Sequence, residues 1–148
     1  MLQIAVIGSG QENEETDRLA FGVGREIARI GAVLVCGGLD GVMKHAARGA
    51  HKEKGTTVGI LPGPDRKAAN SFIDIAIPTD MGHARNALVA RSADALIAVG
   101  GGYGTLSEIG LALKMGKPVV AIRSWEIPGV IPAEEAKQAV ELAQRAIE

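Results

Sequence analysis

The sequence predicts an α/β fold: a Rossmann-like, doubly wound, mainly parallel sheet with helices on both faces. Short apolar runs alternate with amphipathic stretches along all 148 residues, and repeated strand–helix units form parallel sheets joined by crossovers. The apolar runs are rich in Val, Ile and Ala and lack polar alternation, which is typical of strands covered on both faces. No linker or repeat interrupts the pattern, so residues 1–148 are predicted to form a single domain.

Each predicted element follows from a local pattern of apolar, glycine and proline residues. The strands are expected at Leu2–Ile7, Ala32–Cys36, Thr56–Leu61, Ile73–Ile77, Ala95–Val99 and Pro118–Ile122. The helices are expected at Glu14–Ile30, Gly41–Lys54, Gly82–Ser92, Thr105–Met115 and Pro132–Ile147. The longest loop, Pro62–Ser71, is interpreted as a connection rather than as the mobile rim of a site.

Composition argues against several classes of function. Sixteen Lys and Arg balance 17 Asp and Glu, whereas a nucleic-acid binder needs a basic excess, so no nucleic-acid partner is expected. Cys36 is the sole cysteine, and no histidine spacing indicates a metal site, so no metal is predicted. No secretory signal or apolar run of about 20 residues is visible, so we expect a cytoplasmic protein without membrane contact.

Three glycine clusters lie at the predicted carboxyl ends of strands, where open parallel sheets bind ligands: Gly8–Gly10, Gly37–Gly38 and Gly100–Gly104. Glycine lets main-chain amides approach a ligand, and a helix start presents free N–H donors with a positive dipole end. The clusters therefore predict an anion site, although any strand-to-helix turn also tolerates glycine. The residues predicted to bind a phosphorylated ligand are Gly8, Ser9, Gly37, Gly38, Gly101, Gly102, Tyr103, Gly104 and Thr105.

Familiar nucleotide signatures are missing from these clusters. The first one reads GSGQEN, with Asn13 at the third glycine position of G-x-G-x-x-G. The second reads GGLDGVMK, and no Ser or Thr follows Lys44 as a phosphate-loop lysine motif requires. A standard dinucleotide or P-loop site is therefore disfavoured.

Glu108 and Arg85 each have two interpretations. Thr105 and Glu108 have capping-box spacing, in which Glu108 would only satisfy the Thr105 amide, and on local sequence this interpretation is favoured. Alternatively, Glu108 faces a bound sugar and stabilises a developing cation or polarises a water molecule. Arg85 either is solvated at the surface or reaches the ligand; solvation is the stronger expectation for Arg91. His83 is interpreted as a cap or loop residue.

The stretch GHARNALVARSADALIAVGGGYGTLSEI, Gly82–Ile109, resembles the signature of the LONELY GUY (LOG) superfamily, often labelled "lysine decarboxylase-like". Cys36–Gly63 resembles the second-strand glycine turn and third strand of that family. The resemblance implies a homo-oligomer, a dimer or tetramer, and a nucleoside 5′-monophosphate phosphoribohydrolase rather than a decarboxylase. Arg85 and Glu108 would then be catalytic, and Gly101, Gly102, Gly104 and Thr105 would hold the 5′-phosphate.

Two departures point to a sister branch of the superfamily. The family's Lys after Arg85 is Asn86 here, and its Pro before the glycines is Gly100. The pattern is closer to the short DprA-related and molybdenum-cofactor-carrier proteins, in which the same loop is implied to hold a phosphorylated pterin without cutting it. A nucleotide or the molybdenum cofactor is thus the expected ligand; a hydrolase and a structural subunit without ligand are the alternatives.

Overall fold

The computed structural model, which describes all 148 residues, contains one seven-stranded sheet, and every neighbouring pair of strands is parallel. The strands are β1 (Gln3–Gly8), β2 (Val33–Cys36), β3 (Thr57–Leu61), β4 (Ile75–Pro78), β5 (Ala95–Val99), β6 (Val119–Ile122) and β7 (Ile131–Ala133). The helices are α1 (Glu14–Arg29), α2 (Val42–Lys52), α3 (Asn86–Ser92), α4 (Tyr103–Lys114) and α5 (Ala136–Ile147). The predicted α/β class is confirmed.

The strand order β4-β3-β2-β1-β5-β6-β7 reverses between β1 and β5. The chain builds outward from β1 to β4 and then returns to build outward from β5 on the other side. At the carboxyl end of this junction Gly8 lies opposite Val99. Two strands whose following loops diverge in this way leave a crevice between them, which is the usual ligand position in such sheets.

Apolar residues of the sheet alternate between two cores. Ile4 and Val6 of β1 belong to the core beneath α1, α2 and α5, whereas Ala5 and Ile7 belong to the core beneath α3 and α4. All four side chains are at most 1% exposed. The continuous apolar strands of the sequence are therefore explained by helices on both faces, as predicted.

The predicted start of the last helix, at Pro132, is wrong. Residues predicted as the beginning of the last helix instead form β7, in which Pro132 lies opposite Ala121 of β6, and α5 begins four residues after Pro132. A proline removes one ladder donor and is tolerated on an edge strand such as this one. Three residues with a central proline carry too little strand pattern to be recognised.

Two further boundaries differ from the sequence prediction. The segment Gly82–Arg85 is a 3₁₀ turn that precedes α3 rather than part of one α-helix, and Gly82 has a φ of +58°. The loop Pro62–Ser71 contains a short 3₁₀ turn and does not line the cleft described below, in agreement with its interpretation as a connection. None of the five helices is long and apolar enough to cross a membrane.

Candidate functional site

A cleft of about 360 Å³ lies at the β1–β5 junction. One wall is the loop after β1, another is the start of α4, and the third is the segment around the start of α3. Met43 is the one apolar side chain of the lining, which otherwise consists of glycine backbone and of polar or charged side chains. Its residues are Gly8, Ser9, Gly10, Gln11, Met43, His83, Arg85, Asn86, Gly102, Gly104, Thr105 and Glu108.

The start of α4 leaves its main-chain donors free. The amides of residues 101–105 donate no hydrogen bond within the protein; the first helical bond runs from the Leu106 amide to the Gly102 carbonyl, 3.0 Å. Gly102 is the N-cap and supplies no side-chain acceptor, and no acidic residue lies in the first turn. Unpaired amides together with the positive end of the helix dipole make this position suitable for an anion.

The carbonyls of the glycine loop, residues 100–104, accept hydrogen bonds from the segment that follows β6. Ser124 Oγ donates to the Gly100 carbonyl at 2.6 Å, and Trp125 Nε1 donates to the Gly102 carbonyl at 3.1 Å. The Trp125 ring also stacks on Tyr103, with 6.2 Å between ring centroids. These contacts fix the acceptor side of the glycine loop, and its amide side is left open.

Two glycines allow the chain to enter the helix this way. Gly100 and Gly101 have φ values of +57° and +102°, in the left-handed region that favours glycine. A Cβ on Gly101 would lie 2.3 Å from the Thr105 hydroxyl oxygen. The turn therefore depends on glycine at both positions, and α4 begins at Tyr103, two residues earlier than predicted.

The favoured capping-box interpretation of Glu108 is wrong. Since α4 begins at Tyr103, Thr105 lies inside the first turn, and Glu108 lies in the second turn. Glu108 is 7% exposed and lines the cleft. Burial raises the pKa of its carboxyl to about 7, and the positive charge of Arg85 lowers it only in part. Near neutral pH this carboxyl is thus poised between its two protonation states.

Arg85 is 9% exposed, so the solvated interpretation is wrong for this residue. Its Nη1 donates to the Asn86 side-chain oxygen, and its Nη2 donates to the Gly37 carbonyl at 3.3 Å. Its buried Nε has no acceptor in the protein. Burial lowers the pKa of the guanidinium, but an arginine remains charged. Arg91, by contrast, is exposed.

Asn86, which replaces the lysine of the LOG signature, connects Arg85 to α4. Its side-chain oxygen accepts from Arg85, and its Nδ2 donates to Ser107 Oγ at 3.1 Å. Ser107 in turn donates to the Gly104 carbonyl at 2.7 Å. An asparagine can both accept and donate, which a lysine cannot, so the departure links the arginine to the glycine loop.

The structure brings together most of the predicted site residues. Gly8, Ser9, Arg85, Gly102, Gly104, Thr105 and Glu108 all line the cleft. Four others do not line it. Gly37 holds Arg85 through its carbonyl, Gly38 is a buried turn residue with a φ of +79°, Gly101 sets the helix start, and the Tyr103 ring is 84% exposed.

Sequence reasoning did not name Gln11, Met43 or Asn86 as ligand-binding residues, and His83, interpreted as a cap or loop residue, lies in the 3₁₀ turn at the wall of the cleft. Two signals were available: Gln11 directly follows the first glycine cluster, and Asn86 stands at the lysine position of the LOG signature. Cys36 is not a nucleophile candidate, because burial raises the pKa of its thiol to about 12.

Comparison with known proteins agrees with this architecture. The model of the SLOG cluster4 family matches residues 1–147. The chain belongs to this family. A protein of Archaeoglobus fulgidus without assigned function is 54% identical over 123 residues, 83% of this chain and 81% of its own. The predicted relation to the LOG superfamily is confirmed.

Two further relatives carry functional names. The structure of a molybdenum cofactor binding protein from Rippkaea orientalis has a TM-score of 0.94 and 38% identity, over 99% of this chain and 98% of that one. A cytokinin riboside 5′-monophosphate phosphoribohydrolase of Rhodococcoides fascians is 40% identical over 96 residues, 62% of this chain. That match spans only 48% of the enzyme's length.

Proposed function

We propose that this protein binds and carries a phosphorylated pterin of the molybdenum-cofactor type, with the phosphate on the amides of residues 101–105. The observation that carries the proposal is this run of unpaired amides at an uncapped helix start. A phosphate offers the acceptor oxygens and the negative charge that such a start lacks.

The rest of the cleft suits a polar, planar ligand. Its volume of about 360 Å³ lies within the range of small-molecule sites. Ser9 and Gln11 present hydroxyl and amide groups along its walls, which could pair with the ring nitrogens and carbonyl of a pterin. The cofactor would be cargo here, and the protein would supply binding and shielding from water.

The similarity to the Rippkaea orientalis protein supports a carrier over other binders. It extends over nearly the full length of both chains, whereas the similarity to the phosphoribohydrolase covers about half of that enzyme. The departure at Asn86 also supports a carrier, because it ties Arg85 into a network of neutral groups rather than providing a second cation.

The ligand can be identified directly. Protein purified from its native source and denatured should release a phosphorylated pterin or its oxidation products, seen by mass spectrometry at close to one per chain. Gly104→Val protein prepared in parallel should release none. Release of no phosphorylated molecule, together with no AMP binding in equilibrium dialysis, would overturn the proposal and favour a structural subunit without ligand.

A second function, hydrolysis of the N-glycosidic bond of a nucleoside 5′-monophosphate, is favoured by one observation. Glu108 is a buried carboxyl in the cleft that accepts no hydrogen bond, with a pKa of about 7. As a carboxylate it could stabilise an oxocarbenium-like ribose and orient the attacking water, while Arg85 fixes the substrate. The water oxygen would bond to the anomeric carbon as the bond to the base nitrogen breaks, and the water proton would pass to the leaving base.

Incubation with AMP separates the two functions. A hydrolase would release free adenine, detected by chromatography, and Glu108→Gln would abolish release while AMP binding remains. A carrier would bind AMP and leave it intact, and the Glu108→Gln variant would do the same. Release of adenine by the wild type but not by Glu108→Gln would replace the carrier proposal with the hydrolase.

A further inference from the structure

We infer that a divalent transition cation, of the zinc type, binds between Glu12, Asp17 and His45, outside the cleft. Their three ligand atoms lie within 4.8 Å of one another. Two carboxylates and one imidazole are donors that divalent transition metals accept. The two negative charges would also balance a dication.

The spacing of the donors fits a small tetrahedral ion. His45 Nε2 lies 3.1 Å from Glu12 Oε2 and 3.5 Å from Asp17 Oδ2. Bonds of about 2.0–2.1 Å in a tetrahedral zinc site place neighbouring ligand atoms about 3.3–3.4 Å apart. The two separations that involve His45 lie on either side of that value, and the exposed Glu12 side chain can move to close the third, which is at most 4.8 Å.

Asp17 supplies an independent indication of a missing partner. It is 7% exposed, and its Oδ1 is buried without any hydrogen-bond donor. Its other oxygen is held by the Asn13 amide at 3.0 Å. A buried carboxylate oxygen without a partner is destabilising, and a cation bound through both oxygens of the Asp17 carboxylate would give Oδ1 the partner that the protein does not.

The surroundings of the three residues admit water, and the two neighbouring arginines already have other partners. The three residues line an open hollow of about 520 Å³, which gives solvent access for a fourth ligand. Arg18 is paired with Glu14 at 3.1 Å. Arg48 Nη2 lies 3.5 Å from His45 Nδ1. When Nε2 binds a cation, Nδ1 carries the proton and no longer accepts a hydrogen bond from Arg48, which keeps its stacking on the Phe21 ring, 4.3 Å away.

The sequence predicted no metal because its donors come from three separate segments. Glu12 lies in the loop after β1, Asp17 in the first turn of α1, and His45 in α2, 28 residues further on. Folding brings them together. Glu12 directly follows Gln11 of the cleft wall, so a bound cation would also tether the loop that forms that wall.

Calorimetric titration of the full chain with zinc chloride, after removal of metals with a chelator, tests the site. We expect saturable binding, reduced at least about tenfold in affinity by both His45→Gln and Glu12→Gln, because each removes a ligand. The matched control is His51→Gln, which changes an exposed histidine of the same helix α2 and should leave binding unchanged.

The Glu12 side chain is 63% exposed, so its variant is expected to fold even if His45→Gln does not, and circular dichroism checks both. Zinc should also raise the Tm of the wild type and of His51→Gln, but not that of Glu12→Gln. Absence of saturable zinc binding to the wild type, or undiminished binding by Glu12→Gln, would overturn the inference.

Discussion

The first turns of α1 and α4 lie on either side of the same sheet junction and are built in opposite ways. Asn13 caps α1, with its side-chain oxygen accepting from the Thr16 amide at 3.1 Å, and Glu14, Glu15 and Asp17 place negative charge in the first turn. The start of α4 has a glycine N-cap, no side-chain acceptor and no acidic residue. The Asn13 side chain caps the first main-chain amides of α1, whereas the first main-chain amides of α4 have no acceptor in the protein.

Each of these helices also carries one buried carboxyl group, and the two groups differ in their hydrogen-bond partners. Asp17 and Glu108 are both 7% exposed, and burial raises the pKa of each. Asp17 accepts a bond from the Asn13 amide, whereas Glu108 accepts none and lies in the cleft with Arg85. Equal burial therefore produces two roles: one carboxylate is held within a local cluster, and the other faces the ligand space.

Glu108→Gln is expected to have the largest effect. The pKa of Glu108 is raised in the folded state from 4.5 to about 7. The stabilisation of the folded state that comes from this raised pKa is fully present below about pH 4.5 and is lost as pH rises to about 7. The wild-type free energy of unfolding should fall by up to about 3 kcal/mol across that window through this group, and this fall should be absent from Glu108→Gln.

Urea denaturation at a series of pH values measures this difference. Glu141→Gln, which changes an exposed carboxyl on α5, is the control and should follow the wild type. A Glu108→Gln profile parallel to that of the wild type would show that Glu108 titrates normally and would contradict its burial in the cleft.

Gly104→Val should block the open helix start. A Cβ at Gly104 meets no atom within 4 Å, so the side chain would occupy the cleft without disturbing the protein. AMP affinity should fall at least about 100-fold, or about 2.7 kcal/mol, as measured by equilibrium dialysis. Gly110→Val changes an exposed glycine of the same helix, again with free space around it, and should bind normally. Equal affinity in the two variants would contradict the site.

Asn13→Ala should remove the side-chain cap of α1 without creating a binding site at that helix start. Loss of the cap bond to Thr16 should reduce the free energy of unfolding by about 1 kcal/mol, and AMP affinity should not change. Chemical denaturation and dialysis of the same preparation test both halves. Weaker AMP binding in this variant would mean that the two helix starts are not independent.

Trp125→Phe should have the smallest effect. It removes the bond to the Gly102 carbonyl but keeps an aromatic ring beside Tyr103. The glycine loop should become less well fixed, and AMP affinity should fall about three- to fivefold, which corresponds to one neutral hydrogen bond of up to about 1 kcal/mol. An unchanged affinity would show that Trp125 does not position the loop.

The sequence predicted the fold well because its main signals are local. Apolar runs such as Ala95–Val99 are buried on both faces and could be recognised without knowledge of their partners. The glycine positions likewise marked the carboxyl edge of the sheet. β7 was missed because Pro132 hides a three-residue strand whose pairing with β6 is set by tertiary structure.

The site was predictable only in part, because its chemistry depends on contacts between distant segments. Glu108 was misjudged since the left-handed turn at Gly100 and Gly101 moves the helix start by two residues. Arg85 is buried by its contact with the Gly37 carbonyl, 48 positions earlier in the chain. The role of Trp125 depends on a bond across 23 positions. Neither contact leaves a signal in the local sequence.

A titration of ¹⁵N-labelled protein with inorganic phosphate, followed by two-dimensional NMR, tests most directly whether the amides at the start of α4 bind an anion. The amide signals of residues 101–105 should shift and saturate together, and those of Thr16 and its neighbours in α1 should stay in place. If the amides of residues 101–105 do not respond to phosphate or AMP, or if those of α1 respond equally, the contrast between the two helix starts does not determine binding.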